Sequence, residues 1–208
     1  MSPERQWWLR VPAVLLSPKS VFVALREEGE ADVEARAEPA LLLVLLAGTA
    51  AALATPTARA LYDDPVYDGP LLVAVWAFLA GGLTALVGYY LIGGILFLAT
   101  RGLGSRGDYK RARHLLAFAA APLALALLVL LPVQLAFFGG DLFGRGGSDA
   151  DAAGDVFRVL ELAFAAWSCA LLLVGIRAVH GWSWWRSLGA VGLVALFLAA
   201  FTYLAAGF

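Results

Sequence analysis

Long, uninterrupted apolar runs dominate the chain and alternate with short charged segments. A helix needs about 20 mostly apolar residues to cross a bilayer, because the hydrocarbon is about 30 Å thick and a helix rises about 1.5 Å per residue. Such runs predict transmembrane helices over residues 40–58, 70–100, 115–138, 156–179 and 187–208. Barrel strands would be about 9–11 residues long and would alternate in polarity. The sequence therefore predicts an all-α fold, a polytopic membrane protein with a five-helix transmembrane bundle.

Glycine and proline mark places where two predicted spans depart from a regular helix. The run 70–100 would form a helix of about 46 Å, which is longer than the hydrocarbon requires, so we expect it to tilt or bend. Its candidate bending points are Gly81, Gly82, Gly88, Gly93 and Gly94. In the third span, Pro122 and Pro132 interrupt the run, and membrane helices tolerate proline better than soluble ones do.

Small residues recur at four-residue spacing in the second predicted span. They form two neighbouring stripes: Ala77, Gly81 and Ala85, then Ala80, Thr84 and Gly88. Such stripes let helices approach closely and associate through van der Waals contact. Two interpretations are open: tight packing inside one five-helix bundle, or homo- or hetero-oligomerisation.

Composition supports a membrane protein and excludes other classes. Hydrophobic residues make up 62% of the chain and charged residues 15%, against about 45–50% and about 25% in soluble domains. The net charge of −1 provides no basic footprint for nucleic acid, so no nucleic-acid partner is expected. Cys169 is the single cysteine, so no disulfide can form within the chain.

Positive charge is distributed asymmetrically between alternate segments. Twelve of the 15 lysines and arginines precede the first span, or lie between spans two and three or between spans four and five. The opposite segments carry Arg59, Arg145 and Arg158 together with seven aspartates. Because cytoplasmic loops are enriched in lysine and arginine, we expect the N-terminus in the cytoplasm and the C-terminus outside. The first residues also lack the pattern of a cleavable signal peptide.

Residues 1–38 are predicted to form a cytoplasmic segment ahead of a transmembrane domain over residues 39–208. Trp7 and Trp8 stand between arginines, which is the composition of an interfacial anchor. The acidic run 27–36 predicts a solvated connector. A second aromatic group on the same side comprises Trp182, Trp184 and Trp185.

The cytoplasmic segment contains one predicted amphipathic helix. Ser17 is expected to cap it and Pro18 to occupy its first position, and the helix is expected to stop near Gly29. Its apolar face comprises Val21, Phe22 and Leu25. The helix either lies on the membrane surface, where it would sense or shape the bilayer, or packs against the bundle.

Two patterns resemble ligand-binding motifs without meeting their requirements. The first is a GxGxxG pattern at Gly102, Gly104 and Gly107. It follows a transmembrane helix and lacks the acidic residue expected about 20 positions later, so we expect a flexible loop. The second is an acidic run with Asp149, Asp151, Gly154 and Asp155. It resembles an EF-hand, but Leu160 occupies the position of the bidentate glutamate. No cofactor and no metal site are predicted.

A catalytic serine–histidine pair is also not predicted. Ser168 and His180 lie on one helix, about 18 Å apart, and His114 lies at the cytoplasmic edge of the third span. No HExxH or Walker motif occurs. We therefore predict no catalytic residues.

Glu161 is an ionisable residue inside a predicted span and is a functional candidate for that reason. It lies about 7.5 Å along the helix from Val156, so its carboxylate can reach the outer surface. Arg158 lies three positions earlier on the same face, and we expect it to pair with Glu161. The alternative is a proton or transport role.

Two short segments resemble a known family. The first comprises Leu16-Ser17-Pro18-Lys19 and Val21–Leu25. The second is the basic loop Gly104–Arg113, which leads into Ala117–Pro122. Together with five spans, they resemble bacterial members of the Yip family, the Ypt-interacting membrane proteins. The resemblance implies no catalytic residues, and eukaryotic relatives are implied to bind Rab-type GTPases and to act in vesicle traffic or membrane shaping.

The predicted function is that of a non-enzymatic plasma-membrane protein that organises the membrane or acts as an adaptor. Its expected partners are the lipid bilayer and an unidentified cytoplasmic protein. Its small-residue helix faces could also bind further copies of this chain or other membrane proteins. The alternative is a small permease or channel component. Its path would be lined by Glu161, Gln134, Pro122 and Pro132.

Overall fold

A computed structural model describes residues 3–26, 30–55, 70–139, 142, 149 and 152–206. These residues form an all-α fold, with no strand among them. The helices are α1 (Pro3–Leu16), α2 (Pro18–Ala24), α3 (Glu30–Ala35), α4 (Ala37–Leu53), α5 (Pro70–Trp76), α6 (Gly82–Gly102), α7 (Tyr109–Ala119), α8 (Ala121–Phe138), α9 (Ala152–His180) and α10 (Trp184–Ala206). A π-helical turn, Ala77–Gly81, joins α5 to α6.

Among the residues that the structure describes, four helical stretches are long and apolar enough to cross a membrane: Asp32–Leu53, Leu71–Gly102, Tyr109–Phe138 and Ala152–His180. They correspond to the first four predicted spans. Helix α10 covers most of the fifth, but its apolar stretch Trp184–Ala200 is shorter than the other four. The five-helix bundle and the orientation of the termini therefore stay predictions.

Two of the spans contain the irregularities that glycine and proline suggested. The π-helical turn ends at Gly81, one of the candidate bending points. Ala120 forms a turn between α7 and α8, and Pro122 lies at the start of α8, where its missing N–H costs no helical hydrogen bond. Pro132 lies inside α8.

Large apolar side chains are exposed along the spans. Leu83, Leu91 and Leu98 of α6 each expose more than 60% of their surface. Exposing such a stripe of leucines to water would cost free energy, whereas exposing it to hydrocarbon would not. These faces are therefore in contact with the lipid bilayer.

The chain divides into two compact units; three of the four boundaries fall within helices, and the fourth falls at the turn between α7 and α8. Unit 1 comprises Met1–Ala40, Gly88–Ala119 and Cys169–Phe208. Unit 2 comprises Leu41–Val87 and Ala120–Ser168. Each of the two candidate sites described below lies within one unit.

Trp7 is the centre of the N-terminal part of unit 1. Its side chain is fully buried, its indole Nε1 donates to Asp32 Oδ1 at 3.2 Å, and its ring lies 5.7 Å from that of Phe118. Arg36, also fully buried, donates from Nε to His114 Nδ1 at 2.6 Å. The expected interfacial anchor at Trp7 is therefore wrong, since protein groups surround the indole. The predicted solvated connector also differs from the structure, because its residues Glu30–Ala35 form helix α3. Asp32 of this helix accepts the hydrogen bond from Trp7 of α1.

Helix α2 is shorter than predicted. It ends at Ala24 rather than near Gly29, and residues 27–29 lie outside the described part of the chain. Ser17 occupies the N-cap position and Pro18 begins the helix, but the Ser17 side chain makes no capping hydrogen bond. The predicted apolar face, Val21, Phe22 and Leu25, is buried. An added Cβ at Gly175 would lie 3.0 Å from the Phe22 ring, so α2 packs against α9.

Two glycines bring α4 and the π-helical turn into close contact in unit 2. A Cβ at Gly81 would lie 2.5 Å from both the Gly48 carbonyl oxygen and the Ala52 Cβ. An added Cβ at Gly48 would collide with Gly81 and Ala85. The stripe containing Gly81 and Ala85 is thus used for packing within one chain.

Candidate functional site

A structured loop, residues 103–108, follows the second span in unit 1. Ser105 N donates to Thr100 O at 2.9 Å, and Gly107 N donates to Ser105 Oγ at 2.9 Å. Gly104 has φ +88°, a left-handed conformation that favours glycine. Gly104 and Gly107 of the GxGxxG pattern therefore lie in a structured turn held by hydrogen bonds, rather than in the flexible loop expected from the sequence.

Side chains from other parts of unit 1 hold this loop. Ser105 Oγ lies 3.1 Å from His180 Nδ1 at the end of α9, and Arg186 Nη2 donates to Leu103 O. Asp108 Oδ1 accepts from Arg111 N at 2.6 Å and caps α7. Arg111 Nη2 also donates to Arg26 O at 3.2 Å, so the loop is connected to the chain that follows α2.

Exposed cations lie on and around the loop. We call the exposed residues Arg26, Arg101, Arg106, Lys110 and Arg186 the basic surface. Trp184 and Trp185, which precede Arg186 in the chain, expose 46% and 81% of their surface. The predicted second aromatic group is thus partly exposed beside this basic surface.

Arg113 differs from the cations of the basic surface because aromatic rings enclose it. Its guanidinium carbon lies 4.5 Å from the ring centroid of Tyr90, 4.6 Å from that of Tyr109 and 5.2 Å from that of Tyr89. Tyr109 also donates its hydroxyl to Tyr90 O at 2.8 Å. These contacts fix α7 against α6 through cation–π attraction.

The Ser105–His180 pair was not found from the sequence, because its members lie 75 positions apart. A pocket lined by His180 has a volume of about 10 Å³, which is too small for a substrate. The His180 ring also packs against Trp182 at 4.7 Å between centroids. The pair therefore fastens the loop to α9. Ser168 belongs to unit 2.

Unit 2 contains a cavity of about 530 Å³ between α4, α8 and α9. On α8 the lining residues follow helical spacing: Leu123, Ala126, Leu127, Leu130, Leu131, Gln134 and Phe138. On α9 they do the same: Gly154, Phe157, Arg158, Glu161, Leu162 and Ala165. Asp149 also lines it, whereas the acidic run's Asp151 lies outside the described residues. The described residues contain no cluster of metal-ligating side chains.

Glu161 has a different partner from the one predicted. Gln134 Nε2 donates to Glu161 Oε1 at 2.9 Å across the cavity. Arg158 instead pairs with Asp155 at 3.0 Å, three positions earlier. The predicted Arg158–Glu161 pair is therefore wrong. Both Gln134 and Glu161 belong to the path suggested for a permease, whereas Pro122 and Pro132 do not line the cavity.

The family comparison covers nearly the whole chain. A family model described as the Yip1 domain matches residues 13–206. No curated protein and no solved structure matches the chain.

Proposed function

Because the chain belongs to the Yip family of multi-pass membrane proteins, we propose that it is a non-enzymatic adaptor that organises the membrane by recruiting a cytoplasmic protein. We place it in the plasma membrane of a bacterium, with the N-terminus in the cytoplasm. The basic surface would then face the cytoplasm, as the distribution of lysine and arginine predicts.

The observation that carries this proposal is the basic surface on a structured loop. Arg106 and Lys110 are exposed, while Ser105 and Arg111 fasten the loop and its following helix to the rest of unit 1. Because the loop that carries these cations is held in place, little backbone entropy is lost when they bind, and their charge attracts an acidic partner. An acidic protein surface is therefore the partner that the basic surface suits.

Photocrosslinking in intact cells tests the proposal. A photoreactive residue at position 106 should give a discrete protein adduct, and Lys110→Glu in the same chain should reduce its yield at least tenfold. Position 196 provides the matched control, because Leu196 is 66% exposed on an apolar helix face. Equal protein adducts from both positions, or an adduct insensitive to Lys110→Glu, would contradict the adaptor.

A small permease is the second candidate, and the cavity favours it. Gln134 and Glu161 meet at 2.9 Å between two candidate spans, and polar groups inside spans commonly mark a transport path. Flux of a solute into liposomes that requires Glu161 would support this candidate. Dependence of the cellular phenotype on Lys110, with no flux, would favour the adaptor.

A further inference from the structure

The cavity of unit 2 has an apolar segment and, next to it, a polar segment. Along α8, its wall consists of leucine and alanine from Leu123 to Leu131, followed by Gln134 and then Phe138. Along α9, Arg158 and Glu161 precede Leu162 and Ala165. The Gln134–Glu161 hydrogen bond brings the two polar segments together. The cavity therefore has the polarity of a binding site for an amphiphile.

Its dimensions match one lipid chain. Leu123 and Gln134 are eleven residues apart, which corresponds to about 16 Å of helix. Half of the hydrocarbon thickness is about 15 Å, the depth that one leaflet's acyl chains fill. The volume of about 530 Å³ lies within the range of about 300–1,000 Å³ that is typical of sites for single small molecules.

The polar segment of the cavity offers both an acceptor and a donor of hydrogen bonds. Gln134 occupies one oxygen of the Glu161 carboxylate, so Oε2 can accept from a further donor. Arg158 uses one N–H towards Asp155 and keeps four for a second acceptor. A carboxylate can accept charge-assisted hydrogen bonds from an ammonium, and a guanidinium can donate them to a phosphate.

We propose that this cavity binds one phospholipid with a phosphoethanolamine headgroup. The ammonium would donate to Glu161, the phosphate would accept from Arg158, and one acyl chain would lie along Leu123–Leu131. A choline headgroup lacks the N–H donors that Glu161 can accept from, and a glycerol headgroup lacks the positive charge. The protein should therefore prefer ethanolamine lipids to both.

Native mass spectrometry of the full chain, with equal amounts of phosphatidylethanolamine, phosphatidylcholine and phosphatidylglycerol, tests this preference. We expect one phosphatidylethanolamine retained per chain. Glu161→Gln should lower its preference over phosphatidylglycerol about tenfold, the scale of one charge-assisted hydrogen bond. Equal retention of the three lipids, or an unchanged preference in Glu161→Gln, would overturn the proposal.

A matched pair of tryptophan variants separates the cavity from the outer helix surface. Leu127→Trp should fill the cavity and abolish retention, because Leu127 lines it. Leu128→Trp should leave retention unchanged, because Leu128 is 59% exposed and does not line the cavity. The same loss in both variants would contradict the site.

Photolabelling of the unaltered chain keeps the proposal testable if Leu127→Trp fails to fold. A phosphatidylethanolamine carrying a diazirine in its acyl chain should label the peptide containing residues 123–131 at cavity-lining positions. Excess unlabelled phosphatidylethanolamine should suppress this labelling, and excess phosphatidylglycerol should not. Labels confined to exposed positions such as Leu128 would show ordinary bilayer contact and would refute the site.

Discussion

Replacement of Trp7 should release the N-terminal helices from unit 1. Trp7 is fully buried against Phe118 and donates to Asp32, and truncation of such a tryptophan to alanine costs about 3–5 kcal/mol. Trp8 is 38% exposed, and the smaller apolar area that it buries gives a loss of roughly 1–2 kcal/mol for Trp8→Ala. Two neighbouring tryptophans therefore provide a variant and its control.

Limited trypsin digestion of the protein in nanodiscs measures this difference. Cleavage after Lys19 requires α2 to open, and its rate follows the open population when closing is fast. Since about 1.4 kcal/mol corresponds to tenfold, Trp7→Ala should raise the cleavage rate by about 100-fold or more and Trp8→Ala by about tenfold. Equal rates in the two variants would contradict the difference in burial between Trp7 and Trp8, and the packing described for Trp7 would be refuted.

Three further substitutions, two of them with a comparison variant, test the packing of both units by thermal unfolding in detergent. Gly81→Leu should lower the stability by about 1–3 kcal/mol or more, because the new side chain would collide with the backbone of α4. Gly88→Ala should change the stability little, because the nearest atom to its added Cβ is 3.7 Å away. Equal effects of the two substitutions would contradict the close contact. Asp108→Ala should cost about 1 kcal/mol through loss of the α7 cap, and no change would mean that the cap contributes nothing. Gln134→Leu should lower the stability by about 1–3 kcal/mol, because Glu161 loses its hydrogen-bond donor. Glu161→Gln should lower it less, because the new amide oxygen can still accept from Gln134. The reverse order would refute this hydrogen bond.

The sequence predicts the spans because a long apolar run has one stable place, the hydrocarbon. The sequence alone does not determine with which of two neighbouring residues a charged side chain forms an ion pair. Arg158 has a carboxylate three positions away on either side, in Asp155 and in Glu161. Gln134 on α8 donates to Glu161, whereas Arg158 pairs with Asp155. Because the donor to Glu161 lies on α8, the residue spacing within α9 alone could not predict this arrangement.

Burial of Trp7 and the Ser105–His180 contact depend in the same way on tertiary structure. Tryptophan beside arginine is typical of an interface, but Phe118 and Asp32 provide protein surroundings for the indole. The cavity could have been anticipated in part. Gln134 and Glu161 are polar residues within long apolar runs. The neighbours of Gln134 at three- and four-residue spacing are all apolar, and Arg158 is the one charged neighbour of Glu161 at that spacing.

Cysteine accessibility in intact cells tests most directly the claim that the basic surface faces the cytoplasm. In a Cys169→Ser background, single cysteines at Arg106 and Ser183, both exposed, should resist a membrane-impermeant maleimide until the cells are permeabilised. Cysteines at Gly69 and Ala150, which lie outside the described residues, should react at once. Immediate reaction at 106 and 183, with protection at 69 and 150, would place the basic surface outside the cell and contradict the proposed adaptor.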